Sequence, residues 1–543
     1  MSRRMTRRRF LGAAGAGLGA AALSPFLRTL PRPEIALAQS ADTLNYGMAS
    51  PFDTLDVTVT TATVVGRMGL HVVDPLVWPA RSGEYAPGLA TSWTVSPDAT
   101  AYTFKLRDDV KFHDGTPFNA EAVKITFDRV VDPATKSQSA ISLIGPYDRT
   151  EVLGPHEVRV RFKRPFASFL DGLGTAYLGI ISPTALRRYG ADFGPVVFVS
   201  TGPYSIQSYQ SGAEITLVRN INYNWASRIF KHNGAPYLQR IVYKIITEPS
   251  TRLAALETGE VQFIEDVPPT DLDRVKQNRN YKVIEITQAG SGWSLMFNQN
   301  RPPTNELAIR RAIQLAVDKD GLAKSVWGGV FKPACSPFTT NLYGYDPETC
   351  KKYARNVDQA RRVLDEAGWQ MGPDGTRVKG GQRLSINFYF RTENPKLREM
   401  TAFIQANLRP LGFEIQLIGQ AGPAYFQSVR TGLHHIQYWW ETGTDAGQIL
   451  RVLFHSSNAG GGTNRNNYRN AEMDALIEQI GGEANPRKLK ELLVKAQAKV
   501  LDEAVMVFLV DPPSLYAHQQ RLTDVWMDWG GNYPYFYDSR LAR

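Results

Sequence analysis

Residues 85–131 read YAPGLATSWTVSPDATAYTFKLRDDVKFHDGTPFNAEAVKITFDRVV, and the signals along this stretch agree with one another. Tyr102, Phe104 and Leu106 alternate with Thr103, Lys105 and Arg107, the period of a half-buried strand. Asp114-Gly115 makes a turn, because glycine tolerates positive φ and aspartate bonds its own backbone. Asn119 then caps a helix whose apolar face is Val123, Phe127 and Val130, and Pro133 stops it. The pattern is strand, turn and capped helix. His113 beside Asp114 could be taken for a catalytic pair. Adjacent residues on a turn seldom face each other, so the stretch supplies scaffold rather than chemistry.

Working outward, 543 residues exceed one ordinary domain and can bury two sizeable cores. The 43% apolar and 21% charged content is ordinary for a soluble globular chain. The net charge of +10 is local: residues 1–38 hold seven arginines against one glutamate, so the balance does not argue for nucleic acid. Thr6-Arg7-Arg8-Arg9-Phe10-Leu11 resembles the twin-arginine motif, a weakly apolar run covers residues 12–23, and Ala36-Leu37-Ala38 is a small-x-small cleavage site. Residues 1–38 are therefore expected to be a signal peptide read by the twin-arginine translocase, leaving a periplasmic chain that starts at Gln39. The apolar run is too short to span a bilayer. No cysteine lies near the cleavage site, so no lipid anchor is expected. Cys335 and Cys350 are the only cysteines. In an oxidising compartment a disulfide between them is favoured over two reduced, buried thiols.

Thr43 to Met48, His156 to Phe162, Ile215 to Arg219, Ile241 to Ile246, Leu384 to Phe390, Phe413 to Ile418 and Val507 to Val510 read as strands. Helices are expected from Ser250, from Glu306 with Ile309, Ile313, Ala316 and Val317 inward, after Asn356, from Pro395 and from Pro486. Gly368 stands where a left-handed C-cap belongs. Strands alternating with helices of this length predict parallel α/β construction. There is no Gly-x-x-x-x-Gly-Lys-Ser/Thr loop, no Gly-x-Ser-x-Gly elbow and no His-Glu-x-x-His pair. His434 and His435 are adjacent, so on a strand they point to opposite faces and cannot chelate together. No catalytic residue, metal or cofactor is expected.

The order of residues also carries a resemblance. Ala90-x-Ser92-Trp93, Phe104-x-Leu106-Arg107, Val110-x-Phe112-His113-Asp114-Gly115-Thr116-Pro117 and Ala120-Glu121-Ala122-Val123 resemble the signature of the extracellular solute-binding proteins of family 5, the peptide/opine/nickel cluster. Ser200-Thr201-Gly202-Pro203-Tyr204 and Arg310-Arg311-Ala312-Ile313 resemble further markers of that family. The resemblance spans residues 42–543 and implies a two-lobed type II periplasmic-binding-protein fold. Lobe one is expected over 42–288, with an extra subdomain at about 81–198, and is completed by 511–543; lobe two covers 289–510. It implies a monomer that captures a small peptide or peptide-like solute between the lobes and docks on the membrane permease subunits of an ABC importer, with their ATPase. Alternatives are an opine-like conjugate, an oligosaccharide, a metal chelate or, on the same scaffold, a secreted hydrolase.

The resemblance also points to site residues. Arg391-x-x-Asn394-Pro395 is similar to the segment whose arginine holds a peptide's carboxylate, a task suited to a planar guanidinium fork. In residues 438–448 peptide-binding members carry W-x-x-D-x-x-D-P, and the first aspartate grips the peptide's amino terminus. Here Thr442 stands at that place, Glu441 is the nearest acid, and Asp445 reads as a helix N-cap or a ligand contact. Trp293 on the crossover strand, Trp439, Trp440, Trp529 and Tyr204 are candidate stacking surfaces.

Overall fold

The computed structural model describes residues 42–81, 84–392, 394–460, 462–483 and 485–542. The expected signal peptide and its cleavage site lie outside the described residues. In the opening stretch the strand Ala101–Leu106 buries Tyr102, Phe104 and Leu106. Asn119 accepts the Ala122 N–H at 3.1 Å and starts the helix Ala120–Val131, which buries Val123, Phe127 and Val130. His113 does not face Asp114. Its Nε2 meets the Gly202 carbonyl at 2.9 Å, while Asp114 accepts from Thr116 and Ser182. The turn is scaffold. Together with Ala90–Val95, Glu157–Phe162 and Tyr147–Gly154, the strand forms a four-stranded antiparallel sheet, the core of a subdomain.

Two larger sheets define the lobes. The first has seven strands in the order Tyr281–Thr287, Pro513–Gln519, Phe263–Glu265, Thr43–Met48, Arg240–Ile245, Glu214–Arg219 and Tyr204–Gln210. The second has six, in the order Lys332–Pro333, Met506–Asp511, Gly290–Phe297, Ile436–Thr442, Ser385–Arg391 and Glu414–Gln420. Along the second sheet, Leu295, Phe297, Val507 and Leu509 face one core, and Met296, Met506 and Phe508 face another. The period of two therefore gives a sheet covered on both faces.

The expectation of parallel construction needs correction. Thr43–Met48 is parallel to its two neighbours, and Ser385–Arg391 to both of its own, but the remaining pairings of these sheets are antiparallel. For the strands beside the crossovers the reason lies in the crossovers themselves. The chain enters lobe two from Tyr281–Thr287 to Gly290–Phe297 and returns from Met506–Asp511 to Pro513–Gln519. The two passages run side by side in opposite directions, and Gln288 N–H donates to the Pro512 carbonyl at 3.0 Å between them. Antiparallel segments can pair there without a helical connection.

Asn356 caps Val357–Glu366 through the Gln359 N–H at 2.9 Å, and Gly368 sits at φ +84°. Cys335 and Cys350 are joined, with Cα atoms 5.5 Å apart. The subdomain touches lobe two: Ala167 N–H donates to the Gly481 carbonyl at 2.8 Å, and Arg164 lies 3.4 Å from Glu478. Among the described residues no helix is long and apolar enough to cross a membrane.

Candidate functional site

In lobe two the strand Ser385–Arg391 connects through a helix to a neighbour on one side, Glu414–Gln420. The chain then crosses back to Ile436–Thr442 on the other side. Such reversals leave a crevice beyond the carboxyl ends of the strands. Here Ser385–Arg391 and Ile436–Thr442 pair only at Phe388↔Ile436 and Tyr389↔Gln437. Beyond that point they part. A cavity of about 340 Å³ opens there, lined by Arg391, Tyr425, Phe426, Tyr438, Trp439, Trp440, Glu441 and Thr442.

Its polar groups are few and held. Arg391 is the last residue of its strand, and its Nε donates to the Tyr438 hydroxyl at 2.6 Å, which sets the guanidinium plane. The guanidinium carbon lies 5.8 Å from the Phe426 ring centre and 5.9 Å from that of Trp440. Burial pushes the Glu441 carboxyl above its ordinary range, and its Oε2 accepts from Trp439 Nε1 at 3.2 Å. Thr442 is exposed at the strand end. Tyr425 donates to Gln437 Oε1 at 2.9 Å and so anchors the helix Gly422–Arg430 to the floor. The walls are a stack: Tyr438 and Trp440 are 6.0 Å apart at 13°, and Trp293 lies 5.1 Å from Trp440 at 13°. Aromatic walls with a few fixed polar groups describe a small-molecule site.

Arg391, Trp440, Glu441 and Thr442 are thus brought together, and Trp293 backs Trp440. Three candidates fall elsewhere. Tyr204 is fully buried in lobe one, where its hydroxyl reaches the Leu238 carbonyl at 3.3 Å. Asp445 caps the helix Ala446–Phe454 by accepting the Gly447 N–H at 2.8 Å, which leaves it outside the cavity lining. Trp529 packs on the second core of lobe two. Sequence reading passed over Tyr425, Phe426 and Tyr438, whose periodicity is that of ordinary core residues. It also passed over Arg465, which lies 4.3 Å over the Trp439 ring from a loop with no motif. His434 and His435 serve the backbone, at Arg465 O and Asn387 N, and burial lowers both to about 4, so both are neutral. Among the described residues no three His, Cys, Asp or Glu side chains converge on a metal site.

The pattern of the bacterial extracellular solute-binding proteins, family 5 Middle, matches residues 84–461. The nickel-binding periplasmic protein of Escherichia coli K12 is 31% identical over 368 residues, 66% of this chain and 68% of that one. The glutathione-binding protein GsiB of the same strain is 28% identical over 447 residues, 81% and 83% of the two chains. The crystal structure of NikA from Brucella suis, in complex with Fe(III)-EDTA, superposes with a TM-score of 0.79 at 26% identity, covering 92% of this chain and 100% of that one. This chain belongs to the bacterial extracellular solute-binding proteins of family 5.

Proposed function

We propose that the chain is the substrate-binding component of an ABC importer, capturing a carboxylate-bearing solute, peptide or peptide-like, in the lobe-two cavity and presenting it to the membrane permease when the lobes are closed. The observation that carries this reading is Arg391, whose guanidinium is oriented by Tyr438 and framed by aromatic rings. Its Nη groups lie outside the Tyr438 bond, and a guanidinium fork matches a carboxylate with two parallel bonds. A solute that touches both lobes only in the closed form shifts the equilibrium toward closure, and no bond need be made or broken. Export by the twin-arginine route and a monomeric mature chain belong to the same reading. Calorimetric titration with a dipeptide and its C-terminal amide tests it. The free acid should bind and the amide should not; equal binding of both removes the carboxylate from recognition.

A second reading rests on Thr442. An uncharged, exposed threonine cannot neutralise an ammonium, and Glu441, the nearest acid, is engaged by Trp439. That combination favours a solute without a free α-amine, such as an opine-like conjugate or a metal chelate. Binding of an N-acetylated dipeptide as tight as that of the free one supports it.

A further inference from the structure

Arg465 is held through its backbone and its ring contacts, while two of its side-chain donors find no hydrogen bond in the fold. It lies on the stretch between the helices Ala446–Phe454 and Ala471–Gly482, and its backbone is held by the His434 ring and the Thr463 carbonyl. Its guanidinium carbon is 4.3 Å from the Trp439 ring centre and 5.5 Å from that of Phe426, two rings that line the cavity. Its Nε and Nη1 are buried and make no hydrogen bond. Buried donors of this kind are uncommon, because leaving a charged donor unpaired is costly. A carboxylate could have answered them. Among the described residues one acid lines the cavity, Glu441; it accepts from Trp439 Nε1 and meets Arg465 through charge, without a hydrogen bond. Phe426 therefore has a guanidinium near its ring from each of two directions in the sequence, Arg391 and Arg465. With Arg465 beside the lining, the described charges at the cavity are two guanidinium groups against one carboxylate.

We infer that Arg465 is a second anion anchor beside the cavity, so that the solute carries two acidic groups, one for Arg391 and one for Arg465, with its less polar part against Phe426 and Trp440. This rests on the reading of the cavity as the solute site and specifies the chemical class it takes. Two guanidinium groups discriminate because a monoanion leaves one of them desolvated and unpaired.

The test is native mass spectrometry of the mature chain with an equimolar panel of dipeptides and N-acyl amino acids bearing none to three carboxylates. The panel includes the matched pair N-succinyl-phenylalanine and N-butyryl-phenylalanine. Wild type should retain the two-carboxylate member of each matched pair roughly tenfold or more over its one-carboxylate partner, the scale of one charged hydrogen bond. Arg465→Ala should collapse that ratio to about one, whereas Arg465→Lys should keep part of it. Arg465→Gln, which preserves stacking on Trp439 without charge, should behave as the alanine variant does and so separates charge from packing. Retention of one-carboxylate members as strong as that of two-carboxylate members overturns the inference, as does a preference that survives Arg465→Ala. Loss of retention in Arg391→Ala with an unchanged ratio in Arg465→Ala would leave the solute site standing and remove Arg465 from it. No retention of any panel member, by wild type or variants, would overturn the solute reading of the cavity and the inference with it.

Discussion

Arg391 and Thr442 sit at the ends of neighbouring strands and set the charge logic of the cavity between them. If Arg391 holds a solute carboxylate as proposed, Arg391→Ala should weaken binding by about 1.5–3 kcal/mol. Titration calorimetry should record it with a small change in melting temperature, because among the described residues the side chain has one hydrogen bond, to Tyr438, and otherwise lies beside the Phe426 and Trp440 rings. An unchanged affinity takes Arg391 out of the site. Thr442→Asp introduces the acid that the threonine lacks. It should tighten binding of a dipeptide with a free amine by roughly tenfold, the scale of one charge-assisted bond. Absence of any gain would mean that the amine is held elsewhere or that the solute has none.

The elements that connect the lobes are as constrained as the cavity. Gly292 lies on the crossover strand beside the returning segment, and a Cβ there would fall 2.3 Å from Asp511 Oδ1 and 2.6 Å from the Val510 carbonyl oxygen. Gly292→Ala should therefore cost about 1–3 kcal/mol through overpacking, read from the midpoint of urea unfolding. A midpoint equal to wild type would show that the crossover can yield. The Cys335–Cys350 bridge spans a sequence separation of 15 residues in lobe two. Closing a loop of that size stabilises by roughly 3 kcal/mol in the chain-entropy model. Reducing agent should lower the melting temperature of wild type and leave a Cys335→Ser/Cys350→Ser variant unmoved. Equal behaviour of the two proteins would exclude a contribution from the bridge.

At the scale of the whole molecule, the contact between the subdomain and lobe two is a place where pH acts. Asp171, on the short helix Phe169–Leu173, is raised to about 8, first by burial and then by the charge of Asp445 across the lobes; the Tyr85 hydroxyl offsets part of this. An acid whose pKa is higher in the folded protein holds its proton more tightly there. Its stabilising contribution is complete below its ordinary 3.8 and is lost as pH rises through about 8. Asp171→Asn should therefore flatten the fall in melting temperature between about pH 5 and pH 8, and melting curves across that window compare the two proteins. A wild-type slope that persists in the variant would place the titrating group elsewhere, Asp511 at about 7 on the returning segment being the next candidate.

Local patterns by themselves determined the elements. Alternation at Tyr102, Phe104 and Leu106, the caps at Asn119 and Asn356 and the spacing of Ile309, Ile313 and Ala316 concern neighbours within a turn or two, where the chemistry of a few residues decides the backbone. The run of motifs carried the family and pointed to Arg391, which lies at a strand end in the cavity lining. Tertiary structure alone decided that the strands flanking the crossovers pair antiparallel, since that pairing joins residues more than 200 positions apart, as at Thr287↔Pro513. It also decided which candidates line the cavity. Tyr204 looked like a cleft residue and is core, Asp445 is a cap outside the cavity lining, and Arg465 carries no local signal yet lies on Trp439. Whether an aromatic ring lines a cavity or fills a core depends on what packs against its far side. In this chain those partners come from distant segments, and no period in the sequence records them.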